Sequence, residues 1–187
     1  MQRRDLLRLL GGVSVLGGLA PAELFAVGRE THRRIELERS PLGFFDTHQM
    51  HTVAAAGERI LPATDTPGAM AARCHRFTEL IVADRYDLPR QRRFVSGLID
   101  LDRRASSSTG HLFIDCAAPA QDATLGALEA DAYDAAGAMK PDTFWRDLKY
   151  LTLFGYYTSE IGIEQELKTV RFPGRFDGCA PIAPAPR

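Results

Sequence analysis

His48 and His51 stand three residues apart, a spacing that on a helix turns two imidazoles to one side and could hold a metal ion. No third ligand follows at helical spacing, so the pair reads as two solvated helix histidines. Glu160, Glu164 and Glu166 are the carboxylates best placed for acid and base chemistry. Glu160 and Glu164 share a face only if a helix runs on through Gly162, and carboxylates near a helix end are ordinarily solvated or paired with arginine. His75 reads as a surface ring beside a buried Cys74 thiol. Cys74, Cys116 and Cys179 form no Cys-x-x-Cys or Cys-x-x-Cys-His pattern, which excludes haem attachment and a zinc knuckle. A Gly-x-Gly-x-x-Gly after a strand, a P-loop and a Gly-x-Ser-x-Gly are all missing, and glycines 11, 12, 17 and 18 precede the folded region. No catalytic, cofactor-binding or metal-ligating residue is therefore expected in this chain.

The elements that would position any such groups are helical. Asp46 and Gln49 make a capping-box start, Met50, Val53, Ala54, Gly57 and Ile60 fall on one face, and Pro62 ends that helix. A loop dense in turn formers follows, from Pro62 to Ala69. Cys74, Phe77, Leu80 and Ile81 give a second apolar face. Pro89 opens a third helix carrying Phe94, Leu98 and Leu101, expected to fade into a loop over Ser106 to Gly110. Leu125, Leu128 and Ala132 mark a fourth. The fifth, from about Asp142 to Ile161, is apolar on nearly every side, with Phe144, Leu148, Leu151 and Gly155 on one face and Trp145, Tyr150, Leu153, Phe154, Tyr156 and Tyr157 over the rest. Such a helix is either central in its domain or shared with a neighbour. No alternating strand run is present, so the expectation is an all-α domain of about five helices. It spans residues 44–171, with a polar, Arg-rich linker before it over 23–43 and an extended, proline-rich arm after it over 172–187.

Arg3 and Arg4 are followed by Asp5, Leu6, Leu7 and Arg8, then by an uncharged run from Leu9 to Ala20 rich in Leu, Val and Gly. With the small-residue signal at Ala20, Pro21 and Ala22, residues 1–22 read as a twin-arginine export leader. The Arg-Arg-x-Leu-Leu-Arg register, the Gly-rich run and the charge at Arg8 favour it over an ordinary secretion signal. The apolar run is shorter than the ~20 residues that span a bilayer. The twin-arginine pathway moves folded proteins, which have loaded a cofactor or bound a partner. For a chain without a cofactor site the second reason stands, and export with something larger is expected. Losing residues 1–22 removes three arginines and one aspartate, taking the formal charge from -1 to -3. That balance implies neither a nucleic-acid patch nor an acidic tail.

Three segments resemble the gluconate 2-dehydrogenase subunit 3 family in order along the chain: Ile60 to Ala69 (ILPATDTPGA), Leu153 to Gly162 (LFGYYTSEIG) and Phe172 to Cys179 (FPGRFDGC). The likeness spans about residues 44 to 182. It implies a small subunit that accompanies an FAD-dependent large subunit of the glucose-methanol-choline type, oxidising a sugar or sugar acid in the periplasm. A multihaem cytochrome c, with haem c, often takes the electrons onward. The small subunit carries the export signal, meets the twin-arginine translocase, supports maturation of the large subunit, and associates with the membrane only through partners. Trp145, Tyr156, Tyr157, Glu160, Arg175, Phe176 and Asp177 are the expected partner-contact residues, since aromatic side chains combine large area with a polar tip. Cys179 lies on an arm too short and polar to bury a thiol. An interchain disulfide to the large subunit is the favoured expectation, with a bond to Cys116 or an exposed thiol as alternatives. A transient export chaperone, and a stand-alone periplasmic enzyme using Glu160 and a nearby histidine, are the competing readings.

Overall fold

The computed structural model describes residues 19–37 and 43–168. Six α-helices occur among them: α1 (Pro21–Glu36), α2 (Thr47–Ile60), α3 (Cys74–Arg85), α4 (Leu88–Thr109), α5 (Ala118–Asp131) and α6 (Phe144–Thr158). A 3-10 turn at Phe113–Asp115 precedes α5, and a π-helical turn at Ile161–Glu166 follows α6. The fold is all-α.

The centre is α6. Twelve of its fifteen residues are buried, which decides between the two readings of an all-round apolar helix in favour of a central one. It packs against α1, α2, α3 and α4. Phe154 meets Phe77 edge-on at 5.4 Å, and Phe144 meets Phe94 edge-on at 5.1 Å. Buried threonines on α6 return their hydroxyls to the helix, Thr152 to Leu148 O and Thr158 to Phe154 O, so no polar atom of theirs is orphaned.

The expected linker over 23–43 is corrected by α1. Its charges conceal a helical period: Leu24, Gly28, Thr31 and Ile35 are buried at spacings of three and four, while Arg29, Glu30 and Arg33 face outward. Glu23 accepts the Ala20 N–H at 2.7 Å at the helix start, and Arg34 pairs with Asp84 of α3. Gly28 lets α1 lie close on α6, since a Cβ there would sit 2.9 Å from Thr158 Cβ. Six α-helices rather than five result.

Two boundaries also differ. The α4 helix runs through Ser106 to Thr109 and stops at Gly110 in the left-handed region (φ 79°), because Ser107, Ser108 and Thr109 send their hydroxyls back to Arg104 and Ala105 carbonyls. The α6 helix stops at Thr158 instead of Ile161. Ser159 turns extended (ψ 161°), and its hydroxyl donates to Tyr156 O at 2.6 Å while accepting Gly162 N–H at 3.1 Å, replacing ladder bonds. The capping box at α2 is present as read, with Asp46 Oδ1 accepting Gln49 N–H at 2.8 Å and Gln49 Oε1 accepting Asp46 N–H at 3.2 Å. Among the described residues no helix is long and apolar enough to cross a membrane.

Candidate functional site

The chain leaves α2 at Leu61 and re-enters a helix at Cys74, and the connection is held from three sides. Pro62 and Pro67 lack the N–H that continues a helical ladder, so the loop's amides need acceptors from elsewhere. Glu58, in the last turn of α2, supplies two: Oε1 accepts Ala63 N–H at 3.1 Å and Oε2 accepts Met70 N–H at 2.8 Å. Gly68 is what makes room for this carboxylate, since a Cβ there would overlap it and sit 2.7 Å from Ala63 N. From α6, the Tyr156 hydroxyl donates to Pro67 O at 2.8 Å. From the π-turn, Glu166 accepts the Thr66 hydroxyl at 2.8 Å. Beneath the loop Ala69, Ala72, Cys74 and Tyr156 form a small apolar cluster edged by Leu61, Tyr157 and Ile161. The tip from Pro62 to Asp65 is exposed and contributes nothing to that cluster. The loop is thus a surface element fixed in one shape.

Next to it lies a cleft of about 300 Å³ between α1, the turn before α3, and the end of α6. His32, Glu36, Arg73 and Glu160 bring its charge and hydrogen-bonding capacity. His32 Nε2 lies 2.9 Å from Gly155 O and 3.2 Å from Thr158 Oγ1. Because the Thr158 proton is already given to Phe154 O, Nε2 carries the hydrogen and donates it to Gly155. Burial holds this imidazole below its ordinary pKa, so it is a neutral structural donor. Arg73 caps α3 in the left-handed region at φ 54°, a conformation disfavoured outside glycine, and its side chain is exposed. Burial raises the Tyr156 and Tyr157 phenols, with the Glu166 carboxylate adding to it, so both stay protonated, as the Tyr156 hydroxyl must to donate to Pro67 O.

The residues expected to contact a partner divide here. Tyr157 is half-buried and Glu160 is exposed, both at the edge of this surface. Trp145 (4% exposed) and Tyr156 (3% exposed) are corrected to core positions, because α6 is central and turns them inward. Arg175, Phe176, Asp177 and Cys179 lie outside the described residues, as do Arg3, Arg4, Leu6 and Leu7. His48 pairs with Asp102 at 2.6 Å, and the other Asp102 oxygen accepts Phe113 N–H, so the ring ties α2 to α4; His51 is exposed. Among the described residues no three or more His, Cys, Asp or Glu side chains gather as for a metal ion. Cys74 is buried and its thiol is pushed up to about 12 by burial, as suits a small apolar residue. Cys116 is a half-buried free thiol whose Sγ lies 3.3 Å from Leu112 O.

Glu58, Gly68, Arg73 and His32 are members of the surface that the sequence alone did not single out. Glu58 had a signal: a carboxylate one turn before a stretch of Pro and Gly whose amides lack a ladder. His32 lay hidden with α1 itself.

The family model described as gluconate 2-dehydrogenase subunit 3 matches residues 47–174, a span that begins with α2 and includes the fixed loop, α6 and the π-turn. No curated protein and no solved structure matches the chain. The match covers most of the sequence and contains the elements that hold the fixed loop, while α1, which walls the neighbouring cleft, lies before it. The chain belongs to the gluconate 2-dehydrogenase subunit 3 family, the accessory subunits of a dehydrogenase complex.

Proposed function

We propose that this chain is the non-catalytic small subunit of a periplasmic FAD-dependent sugar or sugar-acid dehydrogenase, and that it carries the twin-arginine signal for export of the catalytic subunit. The observation that carries the reading is α1. Its buried Leu24, Gly28, Thr31 and Ile35 make the segment directly after the leader part of the folded body, packed on α3 and α6. A leader joined without slack to a folded domain suits a pathway that moves folded proteins, and family membership supplies the catalytic partner that such a domain would accompany. Docking falls on the fixed loop with its exposed Thr64 and Asp65, on Tyr157, Glu160 and Arg73, and on the arm expected over residues 172–187. A loop already held in one shape loses little conformational entropy on association. Cys179 on that arm forms the interchain disulfide with the catalytic subunit, and a multihaem cytochrome c completes the electron path.

The test is purification of the tagged chain from the periplasm. The expected result is co-elution of a flavin-bearing subunit, with neither flavin absorption nor dehydrogenase activity in the chain purified alone. Elution without a partner identifies a transient chaperone instead. Activity of the chain by itself rejects the accessory role.

A further inference from the structure

The small-residue signal that ends the leader lies inside the folded body. Ala20 is the residue before α1, and Pro21, Ala22 and Glu23 open its first turn. Glu23 accepts the Ala20 N–H at 2.7 Å, and the Leu24 N–H donates to Ala20 O at 3.0 Å. Pro21 favours this geometry, since its fixed φ suits the start of a helix. On one side of the signal Leu19 packs against the hydrophobic core, and on the other Leu24 belongs to it. Ala20, Pro21, Ala22 and Glu23 themselves are exposed. The bond between Ala22 and Glu23 is therefore open to solvent, and its conformation rather than its depth decides whether it can be cut.

We propose that the seating of Leu19 and Leu24 withholds the Ala22–Glu23 bond from a leader peptidase, so that the exported chain keeps residues 1–22. The inference rests on the export-leader reading above. A peptidase takes its substrate as an extended strand whose backbone pairs with the enzyme. Drawing Pro21, Ala22 and Glu23 out from about 1.5 Å per residue to about 3.3 Å adds roughly 5 Å between the two leucines. That length is gained only if one of them leaves the core. Fraying of a free helix end costs almost nothing, whereas withdrawing a seated leucine returns its apolar side chain to water. The cut also weakens the helix start. Hydrolysis adds water across the Ala22–Glu23 amide, leaving a carboxylate on Ala22 and an ammonium on Glu23. The ammonium then stands at the positive end of α1, and the Leu24 N–H loses Ala20 O.

The N-terminus of the exported chain tests it. Mass spectrometry of tryptic fragments from the periplasmic fraction is expected to find the peptide from Leu9 to Arg29 unbroken. A chain beginning at Glu23, or anywhere between it and Arg29, overturns the proposal while leaving export standing. Incubating the purified full-length chain with a leader peptidase separates packing from sequence. Gly28→Val loosens α1 on Thr158, and cutting after Ala22 is expected to be about tenfold faster than in wild type, because the opened population sets the rate. Leu24→Ala, which removes the inner anchor, should act in the same direction. Equal rates in wild type and both variants, or no cut in any of them, overturn the proposal, since the sequence around Ala22 and not its packing then decides. A wild-type chain confined to the cytoplasm removes the leader reading and this inference together.

Discussion

Asp147 sits 1% exposed in the first turn of the central helix, where an unpaired buried carboxylate would be costly. Arg90 offsets that cost with two parallel bonds at 2.8 and 3.0 Å, and its guanidinium in turn lies 3.8 Å from the centre of the Tyr86 ring. Asp147→Asn removes the carboxylate that two guanidinium bonds of Arg90 are built on, so urea denaturation should show a loss of about 3 kcal/mol; a midpoint within error of wild type contradicts the pairing argument. His32 gives the pH prediction. Burial lowers its folded pKa, and that of His75, so the folded state resists their protonation. Stability from this source is complete above about pH 6.5 and is lost as pH falls through the range below it. His32→Gln should flatten part of the decline in thermal midpoint between neutral and mildly acidic pH. Arg73→Gly addresses strain: relief of the left-handed backbone should raise stability by about 1 kcal/mol while weakening assembly, since the arginine lines the proposed surface. A gain in stability with full assembly would make Arg73 a bystander. At this scale the sequence shows what a residue does where it acts locally, as with Asp46 and Gln49. It does not show a partner far along the chain, as Met70 is for Glu58 or Gly155 for His32.

At the scale of elements, all five expected helices are present because each carries an apolar face at helical spacing, with the ends of α4 and α6 shifted. The α1 helix was missed because its buried set includes Gly28 and Thr31, which carry little hydrophobic signal, and because arginines dominate its exposed face. Helix α4 was cut short for a related reason: serines read as loop formers unless their hydroxyls turn back on the helix, which only the folded backbone reveals. The centrality of α6 was visible, but not which aromatic residues it turns inward. Trp145 and Tyr156 were therefore assigned outward. The packing of α1 can be tested directly. Gly28→Val places side-chain atoms into Thr158 and should destabilise the domain by about 1 to 3 kcal/mol, with faster tryptic cleavage at Arg29 and Arg33. Unaltered proteolysis would mean that α1 docks without needing the glycine.

For the whole molecule, a helical body presents the fixed loop and its neighbouring cleft as one surface. Tyr157→Ala should weaken assembly with the catalytic subunit without altering a flavin already bound there. If Cys179 links the subunits, non-reducing electrophoresis of the complex gives a band at the summed mass that disappears in Cys179→Ser, whereas separate subunit bands without reductant rule the link out. The central claim, that this chain carries its partner across the membrane, meets its most direct test in cell fractionation of an Arg3→Lys, Arg4→Lys double variant. The account predicts that the catalytic subunit is stranded in the cytoplasm together with the variant chain. A catalytic subunit still found in the periplasm contradicts it.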